Sequence, residues 1–426
     1  MLDAIKTTFK IPDLRKKIFW TLALLGIFRL GAFIPIPGNW DTNRLSDLFG
    51  NGNLFSLMDL MAGGALKKMS VFAMSVNPYI TSSIIIQLLT MVIPSLQQLA
   101  KEGGDGRKKI SQYTRYGTVI LSIVQGTTMA FGLQSALNNP TVWDFILIIT
   151  SLTAGSVFLM WLGEVISERG IGNGISMLIF AGIVSRLIPS SISLLSNIGA
   201  KGVGASFLGV ILFAILAIII VAGVVFVTQG ERKIPVQYAK RMVGRKMYGG
   251  GSTYLPMRVN QAGVIPIIFA SSVLMFGPTI GSYLPATNPV AKFLMFFAPG
   301  RTAFVVLYAI LIFVFTYFYT AVSFNPVEVS DNMKKYGGFI PGIRPGKPTA
   351  EYLDRVLTRI TLAGALFLTV VALLPYLWGY LPGFRGMQQV SSLGGTSLLI
   401  AVGVAIDTMK QIEAQLLMRQ YEGFLK

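Results

Sequence analysis

Apolar residues fall in ten long stretches separated by polar and basic segments. By hydropathy these stretches cover roughly 18–37, 75–94, 116–136, 144–167, 174–195, 207–227, 262–283, 303–322, 360–380 and 394–412. A helix needs about 20 apolar residues to cross the hydrocarbon core of a bilayer. The pattern therefore predicts a polytopic membrane protein of ten helical spans. The second and third stretches are weak. One contains Ser75, Asn77, Thr81, Ser82, Ser83 and Gln87, and the other Gln125, Thr127, Thr128 and Gln134. Spans this polar seldom face lipid on all sides and instead line a protein interior or a water-filled path. A further apolar segment at 53–73, NLFSLMDLMAGGALKKMSVFA, is too short to cross and is broken at Gly63-Gly64. It reads as an interfacial helix or as a re-entrant piece folded back into a cavity.

Composition sharpens the picture. Of 426 residues, 53% are hydrophobic and 13% charged, with a mean hydropathy of +0.64. A soluble domain carries about 25% charged residues, so a soluble enzyme of this size is excluded. Residues 1–17 are basic, and the apolar run after them ends in Pro35-Ile36-Pro37-Gly38 without a small-residue cleavage site. That run reads as a first span rather than a removed signal. With the N-terminus in the cytoplasm and alternating loops, 27 basic residues fall inside. Eight fall outside: Arg44, Lys67, Lys68, Arg186, Lys201, Lys292, Arg301 and Arg385. Arg29 lies within the first span. This asymmetry predicts both termini in the cytoplasm. Ten spans also divide into two halves of five with opposite orientation, the arithmetic of an inverted repeat.

The chemistry of catalysis is missing. Histidine and cysteine are both absent, which removes the commonest general base, thiolate chemistry and the usual ligands of transition metals. Acids are rare in the spans: Asp144 and Glu164 near the ends of the fourth, Asp407 near the end of the tenth. There is no phosphate-binding GxxxxGK[ST] loop. The run Gly170-Ile171-Gly172-Asn173-Gly174 follows a span rather than a strand and reads as a tight hairpin between spans 4 and 5. No catalytic group, cofactor or metal site is expected, and the chain reads as a conduit. Two long basic inside loops, 228–261 and 323–359, carry turn residues at their tips. Gly337-Gly338, Pro341-Gly342 and Pro345-Gly346 would hold Arg344 on a rigid tip. Such a tip suits an acidic groove or ribosomal RNA phosphates, although basic inside loops are also the ordinary orienting signal.

Several motifs resemble one family. Asn77-Pro78-Tyr79-Ile80 with IIIQLL (84–89), GRKKISQYTRYGT (106–118), ERGIGNGISM (168–177), VNQAGVIPIIFASS (259–272), NPVEVSDNMKKYGGFIPGIRPG (325–346) and GGTSLLI (394–400) are similar to the SecY family of protein-conducting channels. They occur in that family's order and spacing. The resemblance implies an all-α clamshell with an N-terminal half at 1–195, a hinge loop at 196–206 and a C-terminal half at 207–426. An hourglass pore would run between the halves. The family's aliphatic pore ring maps onto Val76, Ile80, Ile175, Ile179, Ile268 and Ile400, with valine at 76 where many bacterial relatives carry isoleucine. The family's plug, a short helix closing the pore from outside, maps onto about 56–70, with Leu57, Leu60, Met61, Gly63, Gly64 and Leu66. The lateral gate, between spans 2 and 3 on one side and 7 and 8 on the other, maps onto Thr81, Gln87, Gln125, Ser271, Ser272 and Phe276. Docking of SecA or the ribosome maps onto Arg232, Lys233, Lys240, Arg241 and Arg344.

The resemblance further implies passage of unfolded preproteins across the bacterial cytoplasmic membrane, with sideways release of transmembrane segments into lipid. SecA, the ribosome and the proton gradient would drive it. SecE, SecG and anionic lipids are the expected partners in the membrane. A secondary transporter with an inverted repeat is the main rival, opposed by the lack of intramembrane acids. An insertase of the YidC class is a smaller bundle without a second half.

Overall fold

The computed structural model describes residues 11–41, 44, 59, 62–138, 140–198, 203–238, 241–243, 246–248, 252–285, 287–298, 301–378 and 395–424. Among these the chain forms α1 (Pro12–Gly31), α2 (Asn77–Val92), α3 (Pro94–Lys101), α4 (Gly104–Gly132), α5 (Val142–Arg169), α6 (Gly174–Ile198) and α7 (Val203–Gln229). It continues with α8 (Ile265–Tyr283), α9 (Pro289–Phe296), α10 (Thr302–Ser323), α11 (Pro326–Lys335), α12 (Lys347–Trp378) and α13 (Gly395–Phe424). A helix lies at each of the ten hydropathic stretches.

Among the described residues, Val142–Arg169, Thr302–Lys335 and Lys347–Leu374 are long and apolar enough by themselves to cross a membrane. The pair α2–α3 passes as one broken span, bent by 101°. The bend has a plain cause: Pro94 opens α3, has no N–H to continue the ladder and drives Ile93 to an extended ψ of 114°. Two of the other helices carry clustered charge: the first half of α4 holds Asp105, Arg107, Lys108, Lys109 and Arg115, and α1 opens on Asp13, Arg15, Lys16 and Lys17.

Helix starts follow local rules. Proline stands at the first or second position of α1, α2, α8, α9 and α11, where its fixed φ suits the helix and its missing N–H is not needed. Thr141 and Asp144 close a capping box on α5, and the Asn325 side chain accepts from Val327 and Glu328 N–H groups on α11.

Helix α5 packs on α1, α4 and α6, and α2 packs on α4. Helix α10 lies between α8 and α12, and α7 and α12 pack on α13. These two groups meet along two seams. On one side α6 touches α7 and α13; on the other α8 touches α2 and α4. Small residues permit the close crossings. A Cβ on Gly117 would strike Ser82, and one on Gly174 would strike the Gly163 carbonyl.

The loops depart from the all-α expectation. Strands β1 (Glu231–Tyr238), β2 (Arg241–Val243), β3 (Lys246–Tyr248) and β4 (Ser252–Arg258) occupy the first long loop, and β5 (Gly338–Phe339) the second. β1 pairs antiparallel with β4, from Glu231↔Arg258 to Gln237↔Ser252, and with β5 at Gln237↔Phe339 and Tyr238↔Gly338. The two basic loops are therefore one structure. Ile234 and Val236 alternate on β1 and bury with Met257, Met333, Ile340, Leu353, Val356 and Leu357. This small core fixes the sheet to α11 and the start of α12 at one end of the bundle, the basic end.

Two larger cores fill the bundle. One runs through its middle and draws on α1, α2, α5–α8, α10, α12 and α13. The other lies at the opposite end and joins residues 62–74 to the ends of α1, α4 and α5.

Candidate functional site

The six residues of the expected ring come from four helices and meet in the middle core. Val76 caps α2 and Ile80 sits in its first turn; Ile175 and Ile179 open α6; Ile268 opens α8; Ile400 lies in the second turn of α13. Val76, Ile80, Ile179, Ile268 and Ile400 are each 5% exposed or less and belong to one apolar cluster. Ile175 packs at its margin, with Cδ1 laid against Gly163 of α5. Branched aliphatics offer no hydrogen bond to water or ions, so a constriction lined by them dewets. The ring draws on α2 and α6 from one helix group and α8 and α13 from the other.

Beside this cluster, residues 62–76 run as a chain of turns. Of the expected plug residues, Leu57, Leu60 and Met61 lie outside the described residues. Gly63, Gly64 and Leu66 lie within them. Gly63 and Gly64 take φ of +65° and +85°, a region open to glycine at no steric cost. A Cβ on Gly63 would stand 2.8 Å from the Gly182 Cα of α6, so this segment lies backbone to backbone on that helix. Leu66 is fully buried, in the second core rather than beside the ring. Backbone bonds reinforce that seat: Ile36 N–H donates to the Met69 carbonyl at 2.7 Å and Val71 N–H to the Ile34 carbonyl at 3.0 Å. Met69 and Ser75, at φ of 48° and 52°, carry left-handed backbone that non-glycine residues adopt at a cost.

Polar side chains lock the same segment from two helices. Arg186 Nη1 on α6 donates to Asp59 Oδ2, and Asp59 Oδ1 accepts from the Lys67 N–H. Arg29 Nη1, in the last turn of α1, donates to the Gly63 carbonyl and to Ser185 Oγ, both at 3.2 Å. Lys68 Nζ sits 3.5 Å over the Phe33 ring. Partial desolvation, and then the Arg29 guanidinium, push the Lys68 ammonium below its ordinary pKa, while Asp59 works the other way. Sequence reasoning missed this cluster. It assigned Arg186 to an outside loop, whereas the residue lies inside α6 and faces Asp59. The available signal was Arg29, an ionisable residue within an apolar span.

Around the α2–α8 seam the expected gate residues divide in two. Thr81 donates to the Asn77 carbonyl and Ser271 to the Ile268 carbonyl, each bonding its own helix. Gln87 Oε1 and Ser272 Oγ are buried with no hydrogen-bond partner among the described residues. Gln125 on α4 is half-buried. The Phe276 side chain lies outside the described residues. Two contacts brace the walls: Ser82 Oγ donates to the Thr114 carbonyl at 2.8 Å, and Arg115 Nε meets Glu164 Oε1 at 2.8 Å.

The hairpin at 170–173 joins α5 to α6. Gly172 has φ +87°, Ile171 N–H donates to Thr21 Oγ1 and Gly174 N–H to Ser167 Oγ. Of the docking residues, Arg232 and Lys233 are exposed on β1 and Arg344 is exposed on the turn before α12. That turn is rigid. Ser330 Oγ donates to the Gly346 carbonyl at 2.7 Å and Thr349 Oγ1 to the Arg344 carbonyl at 2.8 Å. Arg241 opens β2, its side chain outside the described residues; Lys240 lies outside them altogether.

Comparison with known proteins adds a family. A family model described as SecY matches residues 70–409. The "Protein translocase subunit SecY" of Halalkalibacterium halodurans is 47% identical over 437 residues, covering the whole of both chains. Those of Corynebacterium glutamicum and Mycobacterium tuberculosis are each 46% identical, again over both full lengths. Among solved structures, "The structure of a protein conducting channel" superposes with a TM-score of 0.66 at 17% identity, over 96% of each chain. "Sec61 in the Canine ribosome-channel complex from the endoplasmic reticulum" gives 0.61 at 16% identity, also over 96% of each chain.

Proposed function

The chain belongs to the SecY family of protein translocase subunits, and from that premise we propose a closed polypeptide channel with its pore at the aliphatic ring. Ten helices cross the bacterial cytoplasmic membrane as two inverted halves, 1–195 and 207–426, hinged at 196–206. Both termini and the basic sheet face the cytoplasm. The observation that carries this reading is the convergence of Val76, Ile80, Ile179, Ile268 and Ile400 in one dry cluster drawn from both helix groups. Parting the groups along the α2–α8 seam would open the ring to a chain and the seam to lipid. Residues 62–70 would close the ring from outside in the same reading. In this reading Gly63-Gly64 is the joint, and Leu66 belongs to the fixed base of the plug rather than its moving part.

The channel carries no motor of its own. SecA or the ribosome would dock at Arg232, Lys233, Lys240, Arg241 and Arg344, in the two basic loops that the β1–β5 pairing joins, and SecE and SecG would complete the membrane complex. The chain contains no cysteine, so one introduced at Ile80 is unique. A preprotein with one cysteine, stalled in transit by SecA, is expected to form a disulfide with it in an ATP-dependent manner. A silent Ile80→Cys during active export, with a stalled chain verified by protease protection, would place the path elsewhere.

A further inference from the structure

Helix α9 is a short helical connection at the end of α8. It is eight residues long, PVAKFLMF, and joins the end of α8 to the start of α10. Its start is fixed by Asn288, whose side chain accepts from the Val290 N–H at 3.0 Å. One face packs inward. Ala291 is 2% exposed, and Leu294 lies over Gly277 and Gly281 of α8, where a Cβ at Gly281 would stand 2.9 Å from the Leu294 Cβ. Gly277 and Gly281 are one helical turn apart, so α9 lies alongside the last two turns of α8 rather than above them.

The other face is apolar and open. Val290, Phe293 and Phe296 are 54%, 65% and 53% exposed and recur at the spacing of one helix side. Phe297 meets Phe293 and Phe296 edge-on at 5.6 and 5.3 Å. The helices before and after it also expose apolar residues, Ile280 on α8 and Val306 and Ile310 on α10. Lys292 is exposed beside it.

We propose that α9 is a lipid-binding helix of the outer membrane interface, with Val290, Phe293 and Phe296 among acyl chains and Lys292 at the headgroups. Three features favour lipid as the occupant. The helices on either side expose apolar residues that face acyl chains in the proposed channel; the patch is rich in aromatic residues with a flanking cation, the interfacial composition; and its depth is set by the last turns of α8, against which Leu294 is packed. Because Leu294 is keyed into the α8 glycines, α9 moves with α8, and lipid on α9 anchors the outer end of that gate helix. The proposal rests on the membrane-spanning reading of α8 and α10, so the test includes a control for it.

Single cysteines at Phe293, Lys292 and Val314 in the full chain would be spin-labelled and reconstituted in phosphatidylethanolamine–phosphatidylglycerol vesicles. Val314, 55% exposed on α10, reports the spanning reading alone. The expected result is a Phe293 label open to oxygen and several-fold less accessible to a water-soluble nickel chelate than the Lys292 label. Equal nickel access at Phe293 and Lys292 overturns the proposal. Protection of Phe293 from both reagents also overturns it, by revealing a protein partner or a second copy over the patch. Nickel access at Val314 would instead overturn the spanning reading.

Discussion

Arg186 and Asp59 form a buried ion pair: the guanidinium on α6 meets the carboxylate at 2.6 Å, and the Asp59 side chain is 1% exposed. The pair links the proposed plug segment to α6, and Arg29 adds a second link at the Gly63 carbonyl. Removing Asp59 leaves Arg186, 26% exposed, without its partner, which costs about 1–3 kcal/mol. Unseating the segment relieves that cost by rehydrating the charge. Asp59→Ala should therefore shift the seated-to-displaced ratio by up to roughly 100-fold, each 1.4 kcal/mol being tenfold. Ion leak from vesicles holding the reconstituted complex should rise accordingly. The exchange Asp59→Arg with Arg186→Asp should restore part of the seal, and an unchanged leak in Asp59→Ala would remove the latch.

How much of this was legible in the chain depends on range. The helix positions follow from hydropathy, and the 170–173 hairpin from its glycines, because both are local. The Asp59–Arg186 pair joins residues 127 apart, and nothing in either neighbourhood names the partner. The sheet was within reach: Ile234 and Val236 alternate with polar residues on β1, a period-2 signal. It was masked by reading the segment as one basic loop. The pairing of β1 with β5 across the two loops has no local signal at all. The ring assignment comes from family resemblance alone, since an isoleucine in a pore and one in a core look alike in sequence.

The α5–α6 hairpin tolerates no side chain at its crossing. A Cβ on Gly174 would run into the Gly163 carbonyl, a backbone atom that cannot swing aside. Gly174→Ala should cost about 1–3 kcal/mol, the usual price of overpacking. The expected outcome is a lower unfolding temperature in detergent with unchanged oligomeric behaviour; a wild-type temperature would mean that the hairpin relaxes freely.

Gln87 Oε1 and Ser272 Oγ, without a partner among the described residues, predict an effect of unusual sign. A buried polar atom without a bond costs about 1–3 kcal/mol, and replacing it by an apolar group of like shape is neutral or stabilising. Gln87 is on α2 and Ser272 on α8, the two helices that meet at the proposed gate, whose opening would bring water to them. Ser272→Ala should therefore stabilise the closed seam and slow export of preproteins with weak signal sequences, leaving assembly intact. Faster export from Ser272→Ala would mean that its hydroxyl holds the seam shut.

Arg344 stands on a turn braced by Ser330 and Thr349, so its charge is presented at little entropic cost. Arg344→Glu reverses that charge without touching a core. Export driven by SecA should fall by at least tenfold while the sheet and the membrane helices keep their stability. Arg344→Lys should recover part of the rate, since it restores charge but not the planar fork of donors. Normal export in the glutamate variant would remove the docking assignment.

The ring makes the sharpest demand on the proposed function. Ile400 is 5% exposed and shares its cluster with Val76, Ile80, Ile179 and Ile268. If these residues are mere packing, a polar substitution destabilises the fold and does little else. If they form a dewetted constriction, the same substitution admits water and then ions. Ile400→Asn separates the cases when compared with Leu368→Asn, a fully buried position on α12 in the same core but outside the ring. Both variants should lose stability, because each buries an amide without a prepared partner. Ile400→Asn should in addition raise ion conductance of the resting channel and relax its discrimination among signal sequences, whereas Leu368→Asn should not. Equal conductance in the two variants would make the ring ordinary core and return the path of the polypeptide to an open question.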